Sequence, residues 1–189
     1  KLGGTVVAVA EWAKEVGPYA IYKEDGLDFQ AMWDYRAEKG NLVDFPGSKM
    51  ISMDEFWSSQ VDVVVPAALE NSIDAAVAEK IQAKLVCEAA NGPTTPEGDE
   101  VLNRKGIILT PDILTNAGGV TVSYFEWVQN LYGYYWSEAE VEAKEDEAMV
   151  KAFEALWAIK EEYGVTVREA AYMHSVKRVA TAMKLRGWY

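Results

Sequence analysis

The sequence predicts an α/β chain: a mostly parallel sheet with helices between its strands, followed by a C-terminal section made of helices alone. Two observations carry this. The short apolar, β-branched runs TVVAVAE, VDVVV, KLVCEA and GIILT recur between stretches of helical character as far as residue 110. Such runs are what strands covered on both faces look like. After Pro111 no run of this kind returns, so the remaining helices pack beside the sheet rather than extend it.

The elements follow in order. Residues 5–11 form the first expected strand. Residues 27–38 space Leu27, Met32, Trp33 and Tyr35 loosely along one helical face, and Gly40 supplies a left-handed stop. Residues 61–65, closed by Pro66, form the second strand. Ser72 and Asp74 provide a cap and first-turn acidity for a helix reaching Ile81. Residues 84–89 form the third strand, 96–104 a helix with acidic residues in its first turn, and 106–110 the fourth strand. The last three helices are expected over 121–130, 138–163 and 167–185. No internal repeat interrupts the chain.

Composition narrows the function classes. A formal net charge of −12 over 189 residues disfavours nucleic acid and anionic membranes as partners. The longest apolar runs are far too short to span a bilayer. One cysteine, Cys87, allows no internal disulfide and suits a reducing compartment, so a cytoplasmic location is expected. Residues 1–4 lead into a strand rather than an apolar leader, and the chain lacks an initiating Met, which points to processing or a fragment.

In open parallel sheets ligands bind where strands end and turn into helices. The first strand ends at Glu11, a carboxylate able to accept hydrogen bonds from ribose hydroxyls; taken alone it reads as a solvated strand-end acid. The second strand runs into VPAALEN, where Pro66, Ala67 and Ala68 make a rigid, low turn, which is also common punctuation. The third runs into a turn at Asn91-Gly92-Pro93, whose amide can donate and accept. The fourth leads to NAGGVTVSYFEWVQN, with two adjacent glycines among polar side chains.

The segment PDILTNAGGVTVSYFEWVQN resembles the signature of the glutamate dehydrogenase family. VPAALEN, EAANGPTTPEGDE and AAYMHSVKRVATAMKLRGW resemble the same family in the same order, and the likeness runs over residues 1–189. Leucine and phenylalanine dehydrogenases share the architecture but not the NAGGVTVSYFEW text. The resemblance implies the Rossmann-like nucleotide-binding portion of an NAD-dependent enzyme. Residues 1–130 would be a partial dinucleotide-binding domain and 131–189 a helical section packed on it. It implies that Glu11 binds the adenosine ribose, that Pro66, Ala67 and Ala68 lie along the cofactor, and that Asn91 sits near the nicotinamide ribose. Asn116 would bond the carboxamide. Gly118 and Gly119 would let the backbone pass close to nicotinamide and substrate. Val120 and Ser123 would line the substrate pocket, the serine reaching the distal carboxylate of glutamate.

The sequence contains no G-x-G-x-x-G, and no set of residues for the carbinolamine and iminium chemistry the resemblance implies. The family pattern puts the glycine-rich loop, the first strand of the fold, the substrate domain and the catalytic lysines and aspartate ahead of Lys1. No catalytic residue and no metal site is expected within the chain, which alone is expected to be inactive. The implied partners are glutamate, 2-oxoglutarate, ammonia, the missing substrate domain and further copies of the chain, in a hexamer. The alternative is a non-catalytic fragment or interaction module.

Other conspicuous residues read as structural. His174 lies mid-helix without companions at metal spacing, and Cys87 is a small strand residue. Ser137 caps an acidic, solvated helix. The YGYYW cluster reads as packing between helices. Lys177, Arg178, Lys184 and Arg186 read as charge favourable to a helix C-terminus.

Overall fold

The computed structural model describes residues 3–188; Lys1, Leu2 and Tyr189, at the limits of the family likeness, lie outside the described residues. The backbone divides into two compact units. One comprises the chain up to Gln60 together with Lys80–Gln82, and the other Val61–Glu79 and the chain from Ala83 onward.

The first unit contains β1 (Ala8–Ala13), β2 (Gly17–Tyr22), α1 (Phe29–Lys39), β3 (Lys49–Ile51) and α2 (Met53–Trp57). Its sheet is antiparallel, ordered β1-β2-β3. This departs from the sequence reading, which expected one strand over 5–11, buried on both faces, and no second strand before residue 61. The strand starts later and turns back on itself. Ala13 pairs with Gly17 across a three-residue connection, and Gly17 takes the left-handed conformation, φ 74°, that such a hairpin requires. Pro18 lies in the part of β2 that β3 does not reach, where its missing N–H leaves no gap in the second ladder. The buried strand is therefore β2, with Tyr19, Ala20 and Ile21 enclosed, while β1 is half-buried at the sheet edge. Tyr19, Ile21, Leu27, Met32, Leu42 and Phe45 form the core. Asp28 caps α1 by accepting from Ala31 N at 2.7 Å, and Gly40 closes it at φ 81°.

The second unit contains β4 (Val63–Val64), α3 (Ala75–Lys80, its last residue counted with the first unit), β5 (Leu85–Cys87), α4 (Pro96–Arg104) and β6 (Ile108–Thr110). Then come α5 (Asp112–Thr115), α6 (Ala117–Tyr132), α7 (Glu138–Tyr163) and α8 (Val167–Leu185). The strands form a parallel sheet ordered β4-β5-β6, with α3 and α4 as the crossovers. The α/β class with a parallel sheet and C-terminal helices thus holds, alongside an antiparallel sheet that the sequence did not announce.

The first helices beyond Pro111 begin earlier than expected. α6 starts at Ala117, not Thr121, because Gly118 and Gly119 adopt ordinary helical backbone rather than a flexible hinge. What they contribute is the missing Cβ. α7 and α8 match the expected spans because each opens on a reciprocal capping box, Ser137 with Glu140 and Thr166 with Glu169. Of the YGYYW cluster only Trp136 packs, edge-on to Phe125 at 5.7 Å; Tyr132, Tyr134 and Tyr135 are exposed. Among the described residues no helix is long and apolar enough to cross a membrane.

Candidate functional site

Parallel strands deliver their C-terminal ends to one side of the sheet, and the loops that leave β4 and β5 are bonded to each other there. Pro66, buried, accepts at its carbonyl from Ala89 N at 3.0 Å and Ala90 N at 2.9 Å. Further along, Asn71 N donates to Gly92 O, Ile73 N to Pro93 O and Thr95 N to Ile73 O, at 2.9–3.0 Å. Ala67 and Ala68 stand exposed beside this ladder. α4 lies close against it: a Cβ added at Gly98 would collide with the Ile73 carbonyl oxygen.

The loop after β5 also meets the end of α5. Asn116 Nδ2 donates to Asn91 Oδ1 at 2.8 Å and approaches Ala89 O at 3.4 Å. The two amides that the sequence singled out, 25 residues apart, are therefore in contact. α6 begins at the next residue. A Cβ at Gly118 would meet the Glu145 carboxylate, whereas nothing lies within 4 Å of one at Gly119. Gly119, Val120 and Ser123 face solvent at the opening of α6, Val120 70% exposed. The Ser123 hydroxyl donates back to Gly119 O at 3.0 Å. Pro66–Ala68, Asn91, Asn116, Gly118, Gly119, Val120 and Ser123 thus share one unit, at the strand ends and the start of α6.

Glu11 belongs to the other unit, on β1. Its Oε2 accepts from the Tyr19 hydroxyl at 2.6 Å and its Oε1 pairs with Arg36 Nε. The Tyr19 oxygen in turn accepts from Leu42 N at 2.7 Å. Burial, and then the hydrogen bond to Glu11, pushes the Tyr19 phenol up to about 12. The same carboxylate, by its hydrogen bond and then its charge, holds the Arg36 guanidinium above its ordinary value.

Behind the amides lies a group that sequence reasoning passed over. Glu88, just past β5, is fully buried; its Oε1 accepts from Arg168 Nη2 at 2.7 Å and its Oε2 from Asp112 N at 2.9 Å. Arg168 Nε also donates to Asp99 Oδ2 at 2.6 Å. Burial opposes the Arg168 charge, but the hydrogen bonds it donates to Glu88 and Asp99 outweigh it and hold its pKa above the ordinary guanidinium value. One signal was available: Arg168 sits in the first turn of α8, where the helix dipole disfavours a cation. A position of that kind calls for a carboxylate partner from elsewhere. Among the described residues no group of His, Cys, Asp and Glu is arranged to hold a metal ion, and His174 stands half-buried on α8.

The family described as Glutamate/Leucine/Phenylalanine/Valine dehydrogenase matches residues 1–187. The chain belongs to that family. Among curated members it is similar to an NAD-specific glutamate dehydrogenase of Clostridioides difficile, 76% identical over all 189 residues and 45% of that protein. Among solved members, the glutamate dehydrogenase of Peptoniphilus asaccharolyticus superposes with a TM-score of 0.84 at 53% identity, covering 99% of this chain and 42% of that one. A hetero-hexameric glutamate dehydrogenase from Thermus thermophilus, in a Leu-bound form, superposes at 0.88 with 31% identity, covering 100% and 43%. The chain thus spans less than half the length of these dehydrogenases.

Proposed function

We propose that this chain is the cofactor-side portion of an NAD-dependent glutamate dehydrogenase that interconverts L-glutamate with 2-oxoglutarate and ammonia, working in the cytoplasm as an oligomer of identical chains. The observation that carries the reading is the Asn91–Asn116 amide pair at the strand ends, directly before a helix that opens on two glycines. The NAD-specific relative named above supports the choice of cofactor and reaction.

The donor set suits a dinucleotide's nicotinamide half. Asn116 turns its amide toward Asn91, and between them they keep one acceptor and several N–H donors for a carboxamide and a ribose hydroxyl. Open space over Gly119 lets a flat ring approach the backbone. Pro66, Ala67 and Ala68 supply a rigid surface along the ligand. Glu11, in the other unit, is assigned the adenosine ribose hydroxyls, on the lone pairs that Tyr19 and Arg36 leave open. Arg36 offsets part of its charge, so exclusion of a 2′-phosphate rests on hydrogen bonding to the 2′-hydroxyl as well as on repulsion.

The bound nicotinamide supplies the hydride acceptor, and the chain's own part is to bind and orient it. Val120 and Ser123 hold the far end of glutamate, the serine hydroxyl leaving Gly119 O to donate to the distal carboxylate. The residues that activate water and ammonia, the phosphate cradle, and a strand pairing with the open edge of β1 come from sequence outside this chain. Residues 1–130 form the dinucleotide-binding part of the assembled domain and 131–189 its helical flank.

The test is to replace Asn91 and Asn116 singly by Ala in the full-length enzyme. Glutamate-dependent NAD reduction should be present in the parent, and both variants should raise the KM for NAD. A parent without that activity, or variants with unchanged KM, would overturn the reading.

A further inference from the structure

The Asn91–Asn116 pair joins two short, separately anchored pieces of backbone, and both anchors lead to one buried carboxylate. α5 is a single turn of four residues whose N-cap, Pro111, offers no side-chain hydrogen bond. A helix this short has no stability of its own. Its first N–H, that of Asp112, is instead satisfied by Glu88 from the end of β5 at 2.9 Å. The same turn ends in Asn116, whose N–H donates to Asp112 O at 3.0 Å. On the other side Asp112 Oδ2 accepts from Gly92 N at 2.8 Å, and Gly92 follows Asn91 directly. Each amide is therefore tied to Asp112, and Asp112 to Glu88.

Glu88 itself is kept in place by a distant part of the chain. Arg168 bonds it from the start of α8 and is fixed in turn by Asp99 of α4, while its Nη1 lies 3.7 Å from Asp112 Oδ1. Glu88 has no solvent contact, so without its cation the carboxylate must move or recruit water, and α5 moves with it.

We propose that Arg168 and Glu88 are positioning residues that set the separation of Asn91 and Asn116, and thereby the grip on the nicotinamide end of the cofactor, without touching the cofactor. This rests on the reading of the two asparagines given above. It assigns α8 a function at the site beyond packing. It also predicts that damage to the ion pair is felt at one end of the dinucleotide only.

The experiment compares Glu88→Gln, Arg168→Lys, Asn91→Ala and Asn116→Ala in the full-length enzyme, with calorimetric affinities for NADH and for ADP, which carries the adenosine end but neither nicotinamide nor its ribose. Glu88→Gln and Arg168→Lys should each weaken NADH by roughly 2- to 30-fold, the range over which residues without ligand contact modulate a coupled site, and leave ADP binding unchanged. Equal losses for both ligands would show a merely structural role and overturn the proposal, as would unchanged NADH affinity. If Glu88→Gln does not fold, Arg168→Lys, which keeps a cation at the partly exposed end of the network, decides alone. Failure of the asparagine variants to weaken NADH would instead overturn the underlying reading. Loss there, with none in Glu88→Gln or Arg168→Lys, would overturn this inference alone.

Discussion

The Tyr19 hydroxyl donates to Glu11 Oε2 at 2.6 Å across the β1–β2 pair, which places a buried phenol under the one carboxylate assigned to the adenosine ribose. Because the phenol is raised from 10.0 to about 12, the folded state favours its neutral form. That contribution to stability is fully present below pH 10 and is lost as pH rises through about 12. Denaturant unfolding of the full-length enzyme and of Tyr19→Phe should show a stability difference that is constant at neutral pH and shrinks across this interval. A flat difference would mean that Tyr19 titrates normally.

Cofactor choice should turn on Glu11 and Arg36 together. Glu11→Ser removes the ribose acceptor and frees an exposed guanidinium for a 2′-phosphate. The ratio of kcat/KM for NADPH over NADH should rise severalfold in Glu11→Ser and fall back in the double variant with Arg36→Ala. An unchanged ratio in the single variant would remove Glu11 from the cofactor site.

Ser123 is exposed on the first turns of α6 with its hydroxyl bonded back to Gly119 O at 3.0 Å. Turned to a carboxylate it would contribute about 1.5–3 kcal/mol, the usual worth of a hydrogen bond to a charged group. Ser123→Val should lower kcat/KM for glutamate by that amount and spare or improve activity on leucine or norleucine. Equal losses on both would make Ser123 structural.

Two glycines should respond in opposite ways to the same methyl group. At Gly98 the Cβ meets the Ile73 backbone, so Gly98→Ala should destabilise the fold by about 1–3 kcal/mol. At Gly119 the Cβ meets nothing within 4 Å, and Ala in a helix is favoured over Gly by roughly 0.5–1 kcal/mol. Gly119→Ala should therefore keep or raise the melting temperature while turnover falls. Retained turnover would deny the close approach assigned to Gly119.

The 189-residue chain on its own should neither turn over glutamate nor bind NADH tightly, because the phosphate cradle and the residues that activate water and ammonia are expected outside it, and Glu11, Asn91 and Asn116 hold only the two ends of the cofactor. Among the described residues its β1 strand has a partner on one side only, and an open edge recruits other chains. Light scattering should show association, and steady-state assays should show no glutamate-dependent NADH formation. Measurable turnover, or tight stoichiometric binding by calorimetry, would contradict this.

What the sequence by itself determined is what a few neighbouring residues can enforce. α4, α7 and α8 run over the expected residues because Thr95, Ser137 and Thr166 each cap the N–H of the third residue of their helix, and Gly164 closes α7 at φ 65°. The parallel order of β4, β5 and β6 followed from alternation of apolar runs with helices, and the family likeness picked out the residues that line the strand ends. The tertiary structure decided the rest. The strand over 17–22 packs on a core to which Leu42 and Phe45 contribute from beyond α1. The contact of Asn116 with Asn91 depends on how α5 is held. That hold comes from Glu88, whose own counter-charge is Arg168, 80 residues further on. Caps and periodicity act within one helical turn, whereas a buried carboxylate takes its counter-charge from whatever the fold brings beside it, and a single sequence does not carry that address.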